Sequence, residues 1–385
     1  MSAALEDAES RVSLLSSASA LYSPPKASGV SITSADGSAV LKFTGQFQFR
    51  HVYNHREGSV ADNDDFGFEH RRIRPKVSGS VLDGKVPFAF FGEFARSASF
   101  SLVDAWVGYV PGEGQRVRVG QYVAPFSREE MVSSSRRLAS DYTLSHNYFT
   151  LERSQGIDYR HREGDWGYQV MLGEGARDKN TPYTMDADFG LTARVERKSE
   201  AGWKRHDDFV GWQGEDLAWL AGAAVHISGG QVDADGDTMT DDDYSDLRGT
   251  VDFGIEGNGW NAFAALFGQS FDVDNGESFT AFGATVQGGV FVTDDVDVFA
   301  QYAWADDDAG LGQLNVVTVG TNELLHPRAR AEADGGCEHR ARSDHVDVQQ
   351  QLAGIPGGRG GRGRAVRAPL AVPGVVLNLQ RVNAM

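Results

Sequence analysis

Leu41-Lys42-Phe43-Thr44-Gly45-Gln46-Phe47-Gln48-Phe49-Arg50-His51 alternates without a break. Leu41, Phe43, Gly45, Phe47, Phe49 and His51 fall on one face, and Lys42, Thr44, Gln46, Gln48 and Arg50 on the other. A period of two is the signature of a β-strand, and no helical period of 3.6 competes with it. The aromatic face suits either a protein core or lipid. The basic face suits water, so one strand leaves a soluble sandwich and a membrane barrel equally open.

Repetition favours the barrel. Strand-like segments recur at 66–81, 86–96, 100–110, 115–122, 156–162, 166–173, 189–197, 217–228, 247–255, 260–271, 279–292, 296–304 and 314–321, making about fourteen with the first. Tight connectors (82–85, 111–114, 256–259, 293–295) interleave with long polar ones (124–155, 174–187, 229–246). Short turns at one rim and long loops at the other are expected of an antiparallel, up-and-down transmembrane β-barrel. Tyr109, Trp166, Tyr168, Trp260, Phe291, Tyr302 and Trp304 lie near strand ends, where interfacial girdles sit. The fold class is therefore all-β.

The bulk properties agree. Among 385 residues there are 46 Gly and only 11 Pro, a mixture suited to many strands and turns. No apolar run is long enough for a transmembrane helix, which leaves a barrel untouched because its strands alternate. The net charge of −18 argues against nucleic acid as a partner. It conceals an asymmetry: residues 323–385 hold nine Arg and six acids, leaving 27 basic and 48 acidic residues, a net of −21, for 1–322. The only cysteine, Cys337, is also in that tail, so no disulfide framework is expected. Residues 1–38 read as a short helical leader, with Leu5, Ala8, Val12 and Leu15 at heptad spacing, and a Ser/Pro-rich linker. No secretory signal is legible there, so an outer-membrane address implies a different start.

Local strings carry a resemblance. Phe68-Glu69-His70-Arg71-Arg72-Ile73-Arg74 leads to Ser78-Gly79; Asp104-Ala105-Trp106-Val107-Gly108-Tyr109 and Val117-Arg118-Val119-Gly120-Gln121-Tyr122 follow, then Pro125-Phe126-Ser127-Arg128-Glu129-Glu130 and 133–137. Their order and spacing resemble the phosphate-selective porin O and P family, and 292–302 is similar to a late hairpin of that family. The resemblance spans 39–322. It implies sixteen strands, a homotrimer, the cell outer membrane as location, and passive diffusion of small hydrophilic solutes or ions, including anions such as phosphate. Cations at Arg71, Arg72 and Arg74, with Arg116 and Arg118, are expected on consecutive staves, joined at the lumen by Lys42 and Arg50. The connector from Pro125 is the candidate to fold inward and constrict the pore, carrying Arg128, Arg136 and Arg137. Glu93, Asp104, Glu129 and Glu130 are the acids available to compensate them.

After Asn322 the alternation stops, and an Arg/Gly/Pro-rich tail follows, such as 357–364. Read literally it resembles an RNA-binding segment, with Cys337, His339 and His345 as a possible metal cluster. A frame error explains it better. Codons for 323–328 exist that, read one base later, give Ser-Tyr-Phe-Ile-Pro. Codons for 364–377 shifted the same way give an alternating strand that ends in Phe and a stop. The two closing strands would then be missing, and the chain as written is expected not to insert as a closed pore.

Other functions find less support. No G-x-S-x-G, H-E-x-x-H, P-loop or dinucleotide fingerprint is present, so no enzyme and no cofactor are expected. Asp233, Asp235 and Asp237 have carboxylates two apart, as calcium loops do, but the glycine is one place early and no twelfth-position Glu follows. A soluble β-sandwich carbohydrate-binding protein, or a cation-bridged surface protein, is the alternative.

Overall fold

The computed structural model describes residues 30–56, 63–94, 99–182, 188–232, 242–308, 313–323, 346–352 and 375–381. The Asp233, Asp235 and Asp237 triplet, Cys337, His339, His345, and the leader before residue 30 lie outside them. Among the described residues seventeen strands form one sheet. A short β1 (Val30–Thr33) precedes the long hairpin of β2 (Val40–Arg56) and β3 (Asn63–Val81). Then come β4 (Val86–Glu93), β5 (Ser101–Tyr109), β6 (Gln115–Val123), β7 (Arg153–Glu163), β8 (Trp166–Gly173) and β9 (Phe189–Lys198). The second half holds β10 (Ala218–Val232), β11 (Asp242–Gly257), β12 (Trp260–Val273), β13 (Phe279–Phe291), β14 (Val296–Asp307) and β15 (Leu314–Glu323). Last come β16 (Val346–Leu352) and β17 (Val375–Arg381).

From β2 onward each strand pairs antiparallel with the next, and β17 returns to β2. Three strands exceed the fourteen expected from alternation. One, β1, lies in the stretch read as leader and linker, and pairs with residues 40–43 of β2. The other two lie in the tail, whose composition had hidden them. Their joints are narrow. Among the described residues one registered pair, Glu323 with Val346, links β15 to β16, and two pairs, Val376 with Val52 and Leu377 with His51, link β17 to β2. By contrast β2 and β3 are paired from Val40–Ser80 through to Arg56–Asn63. The ring therefore has a thinly paired seam.

Alternation decides the two faces. On β8, Trp166, Tyr168, Val170 and Leu172 are exposed outward while Gly167, Gln169 and Met171 are buried inward. On β12, Leu266 is exposed and Phe263, Ala265 and Phe267 are buried. Apolar side chains that face outward from a single sheet have no protein layer to cover them, which excludes the sandwich alternative and matches a lipid-facing wall. Turns at the tight rim are shaped by glycine at need: Gly114 has φ 70°, and a Cβ there would stand 2.0 Å from the Arg162 carbonyl oxygen. One connector at that rim breaks the pattern. Residues 199–217, between β9 and β10, fold back with Phe209 and Val210 buried and a 3-10 turn at Trp203–His206.

Candidate functional site

The loop between β6 and β7, residues 124–152, lies inside the sheet. It carries two short helices, α1 (Arg128–Met131) and α2 (Leu144–Phe149). Its apolar residues Phe126, Leu138, Phe149 and Leu151 are buried among inward residues of the far wall, including Phe263, Phe267 and Phe299. Phe149 stacks on Phe267 with centroids 5.4 Å apart. Ser145 Oγ donates to the carbonyls of Ala284 (2.7 Å) and Trp304 (2.8 Å), and Asn322 Nδ2 donates to Leu138 O (3.1 Å). Arg194, ion-paired with Asp252, donates to Phe126 O (2.8 Å). Burial of these rings and carbonyls holds the loop against β9–β15.

Three polar side chains fasten the loop to itself. Ser127 Oγ lies 2.9 Å from His146 Nδ1, and His146 Nε2 lies 3.1 Å from Glu130 Oε2. The order serine, histidine, carboxylate imitates a hydrolase relay. All three are buried, His146 fully, so no substrate can reach the hydroxyl and the relay is a clasp. Thr150 and Arg153 also donate to Glu130. Burial works against the Glu130 charge, but His146, Arg153 and Thr150 outweigh it and hold the carboxyl down to about 2. Glu129 accepts from the Thr143 backbone N–H and hydroxyl, both at 2.7 Å.

The basic residues of β3 owe their placement to a bulge. Gln48 pairs with Arg72 and Phe49 with His70, so Arg71 is an extra residue on its strand. Simple alternation would turn Arg71 and Arg72 to opposite faces; the bulge lets both meet the loop. Arg71 donates to Asp141 (2.7 Å), and Arg72 donates to Gln48 and to Ser140 O (2.9 Å). Arg50 bridges Glu69 and Asp141. Although burial opposes it, this ring of arginines holds the Asp141 carboxyl well below the usual range.

What remains open follows from burial. Inward side chains of β12–β14 lie beneath the loop: Ala281 and Thr285 are fully covered, and Phe299 and Ala303 are 2 % exposed. On β2–β7 the inward cations keep 12–23 % of their side chains exposed: Arg118, Arg50, Arg153, Arg74, Arg71 and Arg162 in rising order. Lys76 is more exposed still. The water-filled side of the lumen is thus the basic wall. Its acids include Glu69, held by Arg50; Glu93, held by Arg74; Asp104, held by Arg153; and Asp158, held by Arg118 at 2.6 Å.

The ten residues singled out from sequence occupy different stations. Lys42, Arg50, Arg71, Arg74, Arg116 and Arg118 face the lumen from β2, β3 and β6, which are not consecutive staves: β4 and β5 stand between and supply Glu93 and Asp104. Arg72 and Arg137 are buried, 2 % and 5 % exposed, with Arg137 lying over the Tyr142 ring at 3.7 Å. Arg128 lies over Phe209 at 6.0 Å, and Arg136 reaches Asp207 at 3.8 Å. Lys76, Arg153, Arg160 and Arg162 were not singled out, although 158–162 alternates visibly. The inward fold of 199–217 had no sequence signal apart from its apolar Phe209-Val210.

That segment meets the loop from the opposite rim. The Phe209 N–H donates to Arg136 O (3.0 Å), Trp203 lies 4.3 Å from the Arg162 guanidinium, and Phe209 packs on Phe263. His206 is pushed down to about 4 by burial and by Arg128, Arg205 and Lys198.

Comparison with known proteins supports the same reading. The model of the family "Phosphate-selective porin O and P" matches residues 41–206. No curated protein matches the chain. Among solved structures, the anion-selective porin from Comamonas acidovorans is similar at a TM-score of 0.59 and 15% identity, covering 89% of this chain and 99% of that one. The outer membrane channel DcaP of Acinetobacter baumannii gives 0.57 at 13% identity, with 91% and 98% covered. The trimer form of in-vitro folded OmpT from Vibrio cholerae gives 0.55 at 13%, with 89% and 99% covered. At such identities the structures establish the fold, and the family match supplies the rest. The chain is an outer-membrane diffusion porin, and its residues 41–206 match the model of the phosphate-selective porin O and P family.

Proposed function

We propose that the lumen favours small anions over cations, and that the barrel works as a homotrimer with 39–322 as its porin domain. The observation that carries the first point is the contrast between a chain of net −18 and an open wall lined by Lys42, Arg50, Arg71, Arg74, Lys76, Arg116 and Arg118. Low-dielectric walls focus the field of such a row into the passage. Arg72, Arg128, Arg136 and Arg137 add positive potential from the loop and its seat. Much of the acid lies at rims and in loops, where water screens it.

The reading is tested by the reversal potential across a planar bilayer under a potassium chloride gradient. Anion preference gives a potential with the sign of chloride permeation; a cation-signed potential sinks it. The trimer rests on the resemblance and on the trimeric form recorded for OmpT, and crosslinking in detergent tests it.

Residues 323–385 we assign to a frame error. The narrow joints at Glu323–Val346 and Val52–Val376 support that boundary, because a native closing hairpin would pair along its whole length. Sequencing the gene through codon 323 decides it.

A further inference from the structure

The open wall also carries aromatic rings, and they interleave with its cations. Phe91 pairs with Lys76 and faces inward, its ring 5.5 Å from the Arg74 guanidinium and 5.9 Å from the Lys76 ammonium. Further towards the tight rim, Trp106 lies 5.4 Å from Arg118 and 5.8 Å from Arg116. At the rim itself Trp203, carried in by the 199–217 segment, lies 4.3 Å from Arg162 and 5.5 Å from Lys198. All three rings are part-exposed rather than buried. Trp203 has a seat: a Cβ on Gly167 would stand 2.8 Å from its ring, so the glycine makes room for the indole.

The cations beside these rings have donors to spare. Arg116 and Arg160 stand directly opposite each other in the β6–β7 register, a like-charge pair that costs stability in the absence of a counter-anion. Among the described residues no carboxylate lies within ion-pair distance of either, and the buried Nε atoms of Arg116, Arg160 and Arg162 donate to nothing.

A wall built only for a hydrated inorganic oxyanion gains nothing from ring faces, which offer no hydrogen-bond donor to its oxygens. A planar anion with an apolar body uses both: its carboxylate takes the free guanidinium donors, and its ring stacks on Phe91, Trp106 and Trp203 in turn. We propose that the preferred solutes are arylcarboxylates, passed along this track of alternating rings and arginines. The proposal rests on the porin reading above and names its solute class.

The test compares potassium benzoate with potassium acetate, equal in charge, in planar bilayers through the full chain and through its frame-restored counterpart, with potassium chloride as the reference current. The expected result is a benzoate-to-acetate permeability ratio above one, despite the bulk of benzoate. Trp106→Leu and Trp203→Leu, made separately, each lower that ratio roughly three- to tenfold, the worth of one aromatic pair. A wild-type ratio below one overturns the proposal. So does a ratio that the variants leave unchanged, because the rings then only steady the arginines. Absence of chloride current from both proteins would instead fail the porin reading. In that case calorimetric titration of the detergent-folded chain with benzoate and with acetate still decides the solute class: tighter benzoate binding that both variants weaken supports it, and equal binding ends it.

Discussion

Restoring the reading frame after Asn322 should convert a leaky or non-inserting barrel into a closed one. In β2, one edge pairs with β3 throughout, while the other pairs with β1 at 40–43 and with β17 at 51–52. Positions 44–50, seven residues, have no registered partner on that edge among the described residues. In β15, one edge pairs with β14, and among the described residues the other pairs only at Glu323, leaving nine residues at 314–322. In an antiparallel ladder alternate residues direct both N–H and C=O to a given side, so about eight of these sixteen present unpaired groups. Each such group in hydrocarbon costs several kcal/mol, and even a handful exceeds the roughly 5–15 kcal/mol by which a folded domain is stable. The assay is electrophoretic mobility in cold and heated detergent, followed by bilayer conductance, for the chain as written and for its frame-restored counterpart. We expect only the latter to give a heat-modifiable band and uniform conductance steps. Indistinguishable bands and steps from the two proteins would refute the argument, and would mean that β16 and β17 seal the seam despite their narrow joints.

Other perturbations test the loop and the rim. Asp141→Asn leaves Arg50 with Glu69 but removes the carboxylate that Arg71 is ion-paired with; because Asp141 is about a third exposed, we expect roughly 1–3 kcal/mol of weaker loop docking, read by hydrogen exchange over 134–146, together with a reversal potential shifted further towards anions. Phe149→Ala empties a fully buried site stacked on Phe267 and should cost about 3–5 kcal/mol, read as a lower denaturation midpoint and noisier conductance. His206 is held down to about 4, so the unfolded segment takes up its proton first as pH falls; the stability it contributes is present above about 6.5 and is lost towards 4, by an amount of at most about 3 kcal/mol. Lower protection of 199–217 at pH 5 than at pH 7, with exchange rates corrected for their intrinsic pH dependence and the difference abolished in His206→Gln, checks this, and equal protection would remove it. Glu130 is held down to about 2, so its clasp on the loop persists above the ordinary carboxylate range and is lost as pH falls from about 4.5 towards 2; proteolysis of the loop across that window measures it.

The barrel class was legible because a period of two, repeated over strands such as Leu41–His51 and 260–271, needs only local sterics and a lipid-or-water choice for each face. The loop beginning at Pro125 was legible too, since its length between two strands demanded a place to go. Less could be read of which cation does what. Arg71 and Arg72 both meet the loop only because a bulge opposite Gln48–Phe49 resets the alternation, and nothing local announces it. Arg137 was read as a lining candidate, yet it lies buried against Tyr142.

Sequence by itself thus determined the run of alternating strands between 41 and 321, the two faces of most of them, and the long loop from Pro125, since each depends on neighbours along the chain. Only the tertiary structure decided that the loop lies against β9–β15 and leaves β2–β7 wet, that Trp203 reaches Arg162 from the opposite rim, and that the ring is thin between β15 and β2. Those outcomes depend on which side chains meet across the lumen, where residues more than a hundred positions apart compete for the same space, and no pattern along the chain records the result of that competition.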